Sequence, residues 1–513
     1  MNLLILAMGC KADNSFYSAD YADTGAAGEY ADDTGGFGSE DRDTGDGWGS
    51  EDEADDFLKL EPAATDAYVF VVNSSRNTVS RIGVPNLDVL TVEVGINPTV
   101  AITTSDYTKA ITFNEGSDDV SVINAETLEV MTVEVRDNFN AMEMSPDGRW
   151  VICFHDGNAE NGSGSEGGLQ SFNEISIVDT ETGEHSPMAV GFNPRQIEYT
   201  ADSTTALIVS DAFVALIDLT SQDLKPVMVE LSEDLIDPPE AEEIAISPSG
   251  DYAFIRQFGS NHIVVLDLLT REVSRIPVGS VPTDLDLSPD GTQAAVVARG
   301  SHELYVFDVQ DPFGPVEVFD LPQEELLGSL QFSPDASKAI LYTSAAPLAR
   351  FTTWDVVEDE FTIRGLEKPV KSVKVSPDGG TLTIFHPKTN AEDADPNSVF
   401  KDKDALTMVD LDDFRSNALL LPKEPSAFVN SHDGRFGYFI MEGSPYLEVL
   451  LYDALLYDEI KLKSDPVHVG VLPESTYAYV NQEHDLGRLS FYEPDEGVVK
   501  TITGFELNSG IEH

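Results

Sequence analysis

Between Tyr252 and Leu287 the chain reads as four short extended segments. Tyr252-Ala-Phe-Ile-Arg is a compact apolar run, and NHIVVLDL (Asn261 to Leu268) alternates apolar with polar. Glu272 to Val278 and Asp284 to Leu287 follow as a third and a fourth segment. Runs this short, with period-two alternation and turn residues between them, predict strands and not helices. The fourth segment leads into Ser288-Pro-Asp-Gly291, a tetrapeptide that also stands at Ser145 and Ser376, with close variants at Ser247 and Ser333. Serine, proline, aspartate and glycine in that order suit a type I turn, because proline pre-sets φ at the second position.

Aligned on this turn, equivalent positions fall at Ala63, Thr104, Ser145, Thr200, Ser247, Ser288, Ser333, Ser376, Ser431 and Leu472, 41 to 55 residues apart. A period of about 40–45 residues is that of a propeller blade of four strands. One blade buries too little apolar surface to fold alone, so each leans on its neighbours, and the turn recurs because the blade recurs. The expectation is an all-β protein, a β-propeller of about ten four-stranded blades over residues 57–513. Two five-bladed propellers are the alternative, although no linker marks a boundary around residues 290–300. Phe57-Leu-Lys-Leu60 is a candidate strand to complete the last blade and close the ring.

Charge changes the picture next. The formal net charge is -62. Residues 11–57 hold fifteen acidic and two basic side chains, a net of -13, which leaves -49 on the rest. Such a surface repels phosphate backbones and anionic lipid headgroups, which excludes nucleic acid as a partner, and it attracts cations and basic proteins. Residues 11–56, as in DDTGGFGSEDRDTGDGWGSEDEADD, cannot bury enough apolar area to offset their ordering entropy and read as a disordered acidic tether. The two cysteines, Cys10 and Cys153, define no disulfide framework. Cys153 lies within the apolar run Trp150 to Phe154 and is expected to be a buried, inert thiol.

Two stretches carry family resemblances. MNLLILAMGC is too short to span a bilayer and resembles the lipobox of bacterial lipoproteins, with Ala7, Met8 and Gly9 leading into Cys10. Residues 1–10 then read as a truncated lipoprotein signal. The resemblance implies diacylglycerol on the Cys10 thiol, cleavage before Cys10 and a place on the cell envelope. Lys11 beside the cysteine points to the outer membrane. AYVFVVNSSRNTVSRIGVPNLDVLTVEVGINPTVAITTSD (Ala67 to Asp106) resembles a YVTN-type propeller repeat of cell-surface proteins. That resemblance implies the fold and display outside the cytoplasmic membrane, and no single activity.

Two insertions, HDGNAENGSGSEGGLQSFN (His155 to Asn173) and HPKTNAEDADPNSVFKDKD (His386 to Asp404), follow the second strand of their units and share the face opposite the Ser-Pro-Asp-Gly turns. The residues opening that loop in all ten units are Asn73, Asn114, His155, Ser210, Gln257, Ala298, Thr343, His386, Met441 and Gln482. Eight are polar, which predicts a polar funnel. Metal candidates within it are His155, His386, Asp393 and Asp395. No nucleophile elbow, zinc-protease motif, phosphate loop or Cys-x-x-Cys occurs. The expected function is therefore a non-catalytic, lipid-anchored binding or scaffolding module, without a cofactor, meeting an envelope protein or a small ligand. Two alternatives stand beside it: a lactonase-like or metal-assisted hydrolase using the loop face, and a calcium-bridged structural surface protein.

Overall fold

The computed structural model describes residues 62–505 apart from 156–172, 195, 211, 233–238, 240, 258, 392–394 and 485. The described residues form ten antiparallel sheets, each of four strands hydrogen-bonded in chain order. These blades, numbered 1 to 10, span residues 63–93, 98–134, 141–189, 196–230, 241–277, 282–320, 329–365, 372–421, 425–461 and 466–503. First strands of consecutive blades approach one another and line the hub, while fourth strands form the rim. Burial follows. In blade 6 the second strand, Gln293–Ala298, is buried from Ala294 onward, because neighbouring blades cover both of its faces. In blade 5 the rim strand Val273–Pro277 keeps only Ile276 buried. A continuous apolar run therefore encodes a middle strand, and alternation encodes a strand with one face in water.

The blades form one ring. Each main apolar cluster is shared by two consecutive blades, from 1–2 through 9–10 and then 10–1. Blade 5 packs on blade 6 through Phe254 and Phe307, whose rings are 5.5 Å apart. Blade 10 packs on blade 1 through Leu489, Phe491 and Ile502 against Val69 and Ile82. Two five-bladed rings would need contacts of 5 with 1 and of 10 with 6 instead.

Closure is by packing and not by a shared strand. Blade 10 ends with its own fourth strand, Val498–Thr503, and blade 1 begins with its own first strand, Ala63–Ala64. The joint is bonded by the Tyr479 hydroxyl donating to the Pro62 carbonyl at 2.9 Å and by Ser80 Oγ donating to the Phe505 carbonyl at 3.2 Å. The expectation that an N-terminal strand completes the last blade is corrected on this point; Phe57 to Leu60 lie outside the described residues.

The recurring turn joins first to second strand. In blade 6 the Gly291 amide donates to the Ser288 carbonyl at 2.7 Å, and Gly291 sits at φ 68°. Ser288 Oγ donates to Asp290 Oδ1 at 2.7 Å and accepts from the Gln293 amide at 3.0 Å. Ser203 and Ala336 hold the same left-handed position in blades 4 and 7, each at φ 57°. In blade 1 the turn starts at Thr65, whose amide donates to the Tyr68 carbonyl at 2.8 Å. Ala63, the aligned position, is two residues earlier and belongs to the first strand.

Candidate functional site

Among the described residues, the second-strand ends of the loop face do not form a polar funnel. At the second-strand ends of blades 1, 2, 4, 5, 8 and 10 the polar side chain is turned inward and hydrogen-bonded to the protein. Asn73 Nδ2 donates to Thr78 Oγ1 and Ser80 Oγ, both at 3.0 Å. Asn114 Nδ2 donates to Asp119 Oδ1 at 2.6 Å and Ser121 Oγ at 2.9 Å. Gln482 Oε1 accepts the amides of Lys463 and Ser464, each at 3.1 Å. Asn73, Asn114, Ser210, Gln257, Thr343, His386 and Gln482 are all buried. Asn73 and Asn114 thus join the second strand to side chains of the third, whereas Gln257, His386 and Gln482 satisfy backbone groups of the connection entering their blade.

His386 shows the same logic. Its Nδ1 donates to the Pro369 carbonyl and its Nε2 accepts from Thr407 Oγ1, both at 2.7 Å. Burial pushes its pKa down to about 4, so the ring is neutral with both nitrogens engaged. His155 is half-buried, with Nδ1 at 3.1 Å from the Asn138 carbonyl. It belongs to blade 3 and His386 to blade 8, diametrically opposite in a ten-membered ring, so the two cannot share an ion. Asp395 is exposed and accepts the Asn397 amide at 2.8 Å. Asp393 and Cys10 lie outside the described residues. Lys368, in the connection between blades 7 and 8, is an unpredicted contact of the second insertion. It is 1% exposed, and its ammonium donates to the carbonyls of Lys388, Phe400 and Lys403 at 2.9, 3.3 and 2.6 Å. These three bonds tie the insertion to the ring.

The opposite face is acidic by construction. In the first-to-second-strand turns, Asp106, Asp147, Asp202, Asp290, Asp335, Asp378 and Asp433 each accept a Ser or Thr hydroxyl two residues earlier. Asp179, Asp218, Asp267, Asp308, Asp355 and Asp410, ending third strands, each accept the amide two residues ahead. Lys109 Nζ donates to Thr180 Oγ1 at 3.2 Å, and Thr180 Oγ1 to the Gly148 carbonyl at 2.9 Å, so both rows of turns share this face. Hydrogen bonds from the Thr200 and Ser288 hydroxyls hold Asp202 and Asp290 below the usual carboxylate range. Part of the chain's acidity is therefore turn chemistry.

A third feature lies at the hub, where Glu243, Asp284 and Asp286 bring one oxygen each within 4.8 Å of the others. Bulges put them there. The first strands of blades 5 and 6 shift register between Ala241 and Glu243 and between Pro282 and Asp284. In a regular strand adjacent residues face opposite ways. The bulge lets both Glu242 and Glu243 reach Arg256, whose Nε donates to Glu243 Oε2 at 2.8 Å. Glu243 also accepts the Leu285 amide at 3.0 Å, and Asp284 accepts the Leu330 amide, each carboxylate capping the next blade's first strand. Burial raises all three carboxyl pKa values; Asp286 is pushed up to about 8, with Glu243 adding to the shift. An all-oxygen set of this kind suits a hard cation such as calcium, and without one the hub keeps protons at neutral pH. The Glu-Glu pair before Ile244 and the alternating Asp284 and Asp286 were the available signals. They are readable only once first strands are known to meet.

No protein-family model matches the chain, and no curated protein matches it in sequence. Among solved structures it is similar to one described as the eukaryotic initiation factor, with a TM-score of 0.50 and 12% identity over 78% of this chain and 96% of that one. It is also similar to dihydro-heme d1 dehydrogenase NirN in complex with DHE, with a TM-score of 0.46 and 11% identity over 79% of this chain and 77% of the other. A third likeness, to Kuenenia stuttgartiensis hydrazine synthase, has a TM-score of 0.30 and 17% identity over 59% of this chain and 94% of that one. At such identities likeness reaches the fold at most; the ten four-stranded blades place this chain among the β-propellers.

Proposed function

We propose that this chain is a non-catalytic binding and scaffolding module of the cell envelope, held by acyl chains on Cys10 and spaced from the membrane by residues 11–56. The observation that carries the binding reading is the turn face, where two rows of carboxylates are held in fixed positions by their own turns. A pre-ordered charged surface selects an oppositely charged partner and speeds its encounter. The anchor draws its support from the lipobox-like Ala7-Met-Gly-Cys10, and the display from the YVTN-like repeat at Ala67 to Asp106. Its test is Cys10→Ser with acyl-chain labelling and membrane fractionation; unchanged labelling and partition would sink the anchor. For the module itself, a photo-crosslinker at Thr292 on the turn face should give discrete higher-mass adducts in cells. If Thr292 gave no adduct, the binding reading would fail.

The calcium-bridged reading keeps one specific support, the Glu243–Asp284–Asp286 trio. A rise in Tm on adding calcium that Asp286→Asn abolishes is its test. The hydrolase reading finds no support in the described positions of His155, His386 and Asp395.

A further inference from the structure

Leu269 and Val357 are 86% and 76% exposed, the highest values among the large apolar side chains of the described residues. They occupy one position in blades 5 and 7. Asp267 Oδ1 accepts the amides of Leu269 and Thr270 at 3.0 and 2.7 Å, and Asp355 Oδ1 accepts those of Val357 and Glu358 at 3.1 and 3.0 Å. The turn's own apolar need is met one residue earlier, by Leu268 and Val356, which pack into interblade clusters. In blades 2, 3, 4, 6 and 8 this second turn position is Glu126, Glu181, Thr220, Gln310 and Asp412, so the fold does not ask for an apolar residue there. Blade 6, between the two, has Phe313 in its longer turn, 57% exposed and edge-on to Tyr252 of blade 5 at 6.4 Å. Three consecutive blades thus raise apolar tips from a face on which carboxylates predominate, with Arg271 the basic residue in the Leu269 turn. Exposed carboxylates flank them: Glu272, Asp311, Glu358, Asp359 and Glu360.

We propose that the turn tips of blades 5, 6 and 7, carrying Leu269, Phe313 and Val357, dock a basic amphipathic polypeptide. Its apolar side chains cover the tips, and its lysines or arginines meet the surrounding carboxylates. Apolar anchors supply contact area at the centre, and a rim of opposite charge supplies specificity and on-rate. The same carboxylates repel an anionic membrane, which makes a protein segment the fitting occupant. This inference rests on the binding-module reading and names its surface.

The test uses the full chain and two synthetic probes followed by fluorescence anisotropy, an amphipathic leucine–lysine helix and an oligolysine of equal charge. Leu269→Ser/Phe313→Ser/Val357→Ser should weaken the amphipathic probe about tenfold or more, since three anchors lose their buried area, and leave oligolysine binding unchanged. Ile96→Ser/Phe192→Ser, which removes exposed apolar residues 54% and 66% accessible in two interblade connections, should leave both unchanged. Should the triple variant lose its native melt, Leu269→Thr/Val357→Thr replaces it. Glu358→Gln/Asp359→Asn/Glu360→Gln should flatten the salt dependence of the amphipathic probe. Equal binding by triple variant and wild type overturns the proposal. So does sedimentation with phosphatidylcholine vesicles that the triple variant loses, which would assign the tips to a membrane. Either failure leaves the Thr292 cross-linking test, and the module reading, standing on its own.

Discussion

Glu448, on the third strand of blade 9, stands directly across the sheet from Glu459 on the fourth. Glu448 is 1% exposed, and neither of its carboxyl oxygens has a hydrogen-bond partner among the described residues. Glu459 is exposed. Burial, with Glu459 adding to it, raises Glu448 to about 8.

The protonated acid is the form that folds, so its contribution is complete below the unfolded carboxyl's ordinary value. It is lost as pH rises to about 8, by at most about 1.4 kcal/mol per pH unit. Glu448→Leu is expected to raise stability at pH 8 far more than at pH 5. Denaturant midpoints at the two pH values check this, and an equal change at both would refute it.

Arg256 is the counter-charge of the hub. Its side chain is 8% exposed, between Glu242 and Glu243 at 19% and 28%. Arg256→Met leaves both without their partner and is expected to cost about 3–5 kcal/mol near pH 8. Asp286 is protonated below about 8, and Asp284 and Glu243 are raised with it, so the loss should be smaller at pH 5. Thermal melts of the variant at both pH values read the difference.

At the repeated turn, Ser288→Ala removes the acceptor for the Gln293 amide and the donor to Asp290. The expected loss is about 1 kcal/mol in urea unfolding. Asp290 is lowered in the fold, so its contribution is present above the ordinary aspartate range and lost as pH falls through the lowered value. Acid unfolding of Asp290→Asn should accordingly be shallower than that of the wild type.

Lys368→Met cuts the three bonds that hold the second insertion, with the apolar length of the side chain conserved. Trypsin is expected to cleave after Lys388, Lys401 or Lys403 several-fold faster, while the remaining ring stays folded. An unchanged cleavage rate would show that the insertion is held by other contacts.

The repeat, the strand order and the turn were legible because their chemistry is local. Ser288, Pro289, Asp290 and Gly291 bond within a few residues of one another. A middle strand such as Ala294 to Ala298 announces its double burial by composition. Direction was not legible. Asn73, Asn114 and His386 look like a ligand-facing ring when read along the chain, because a polar residue at a strand end is the same letter whether it meets solvent or a turn. The hub trio was missed for the converse reason: Glu243 and Asp284 are 41 residues apart in sequence, and only the meeting of first strands joins them.

By itself, then, the sequence determined ten four-stranded blades, their turns and a heavily acidic chain. Only the tertiary structure decided that the blades make one ring, that Tyr479 meets Pro62 to close it, and which carboxylates are turn acceptors or hub neighbours. Turn and strand are short-range hydrogen-bond and burial problems. Ring size depends on a small rotation between adjoining blades, set by side-chain packing in every interface and accumulated around the whole circuit.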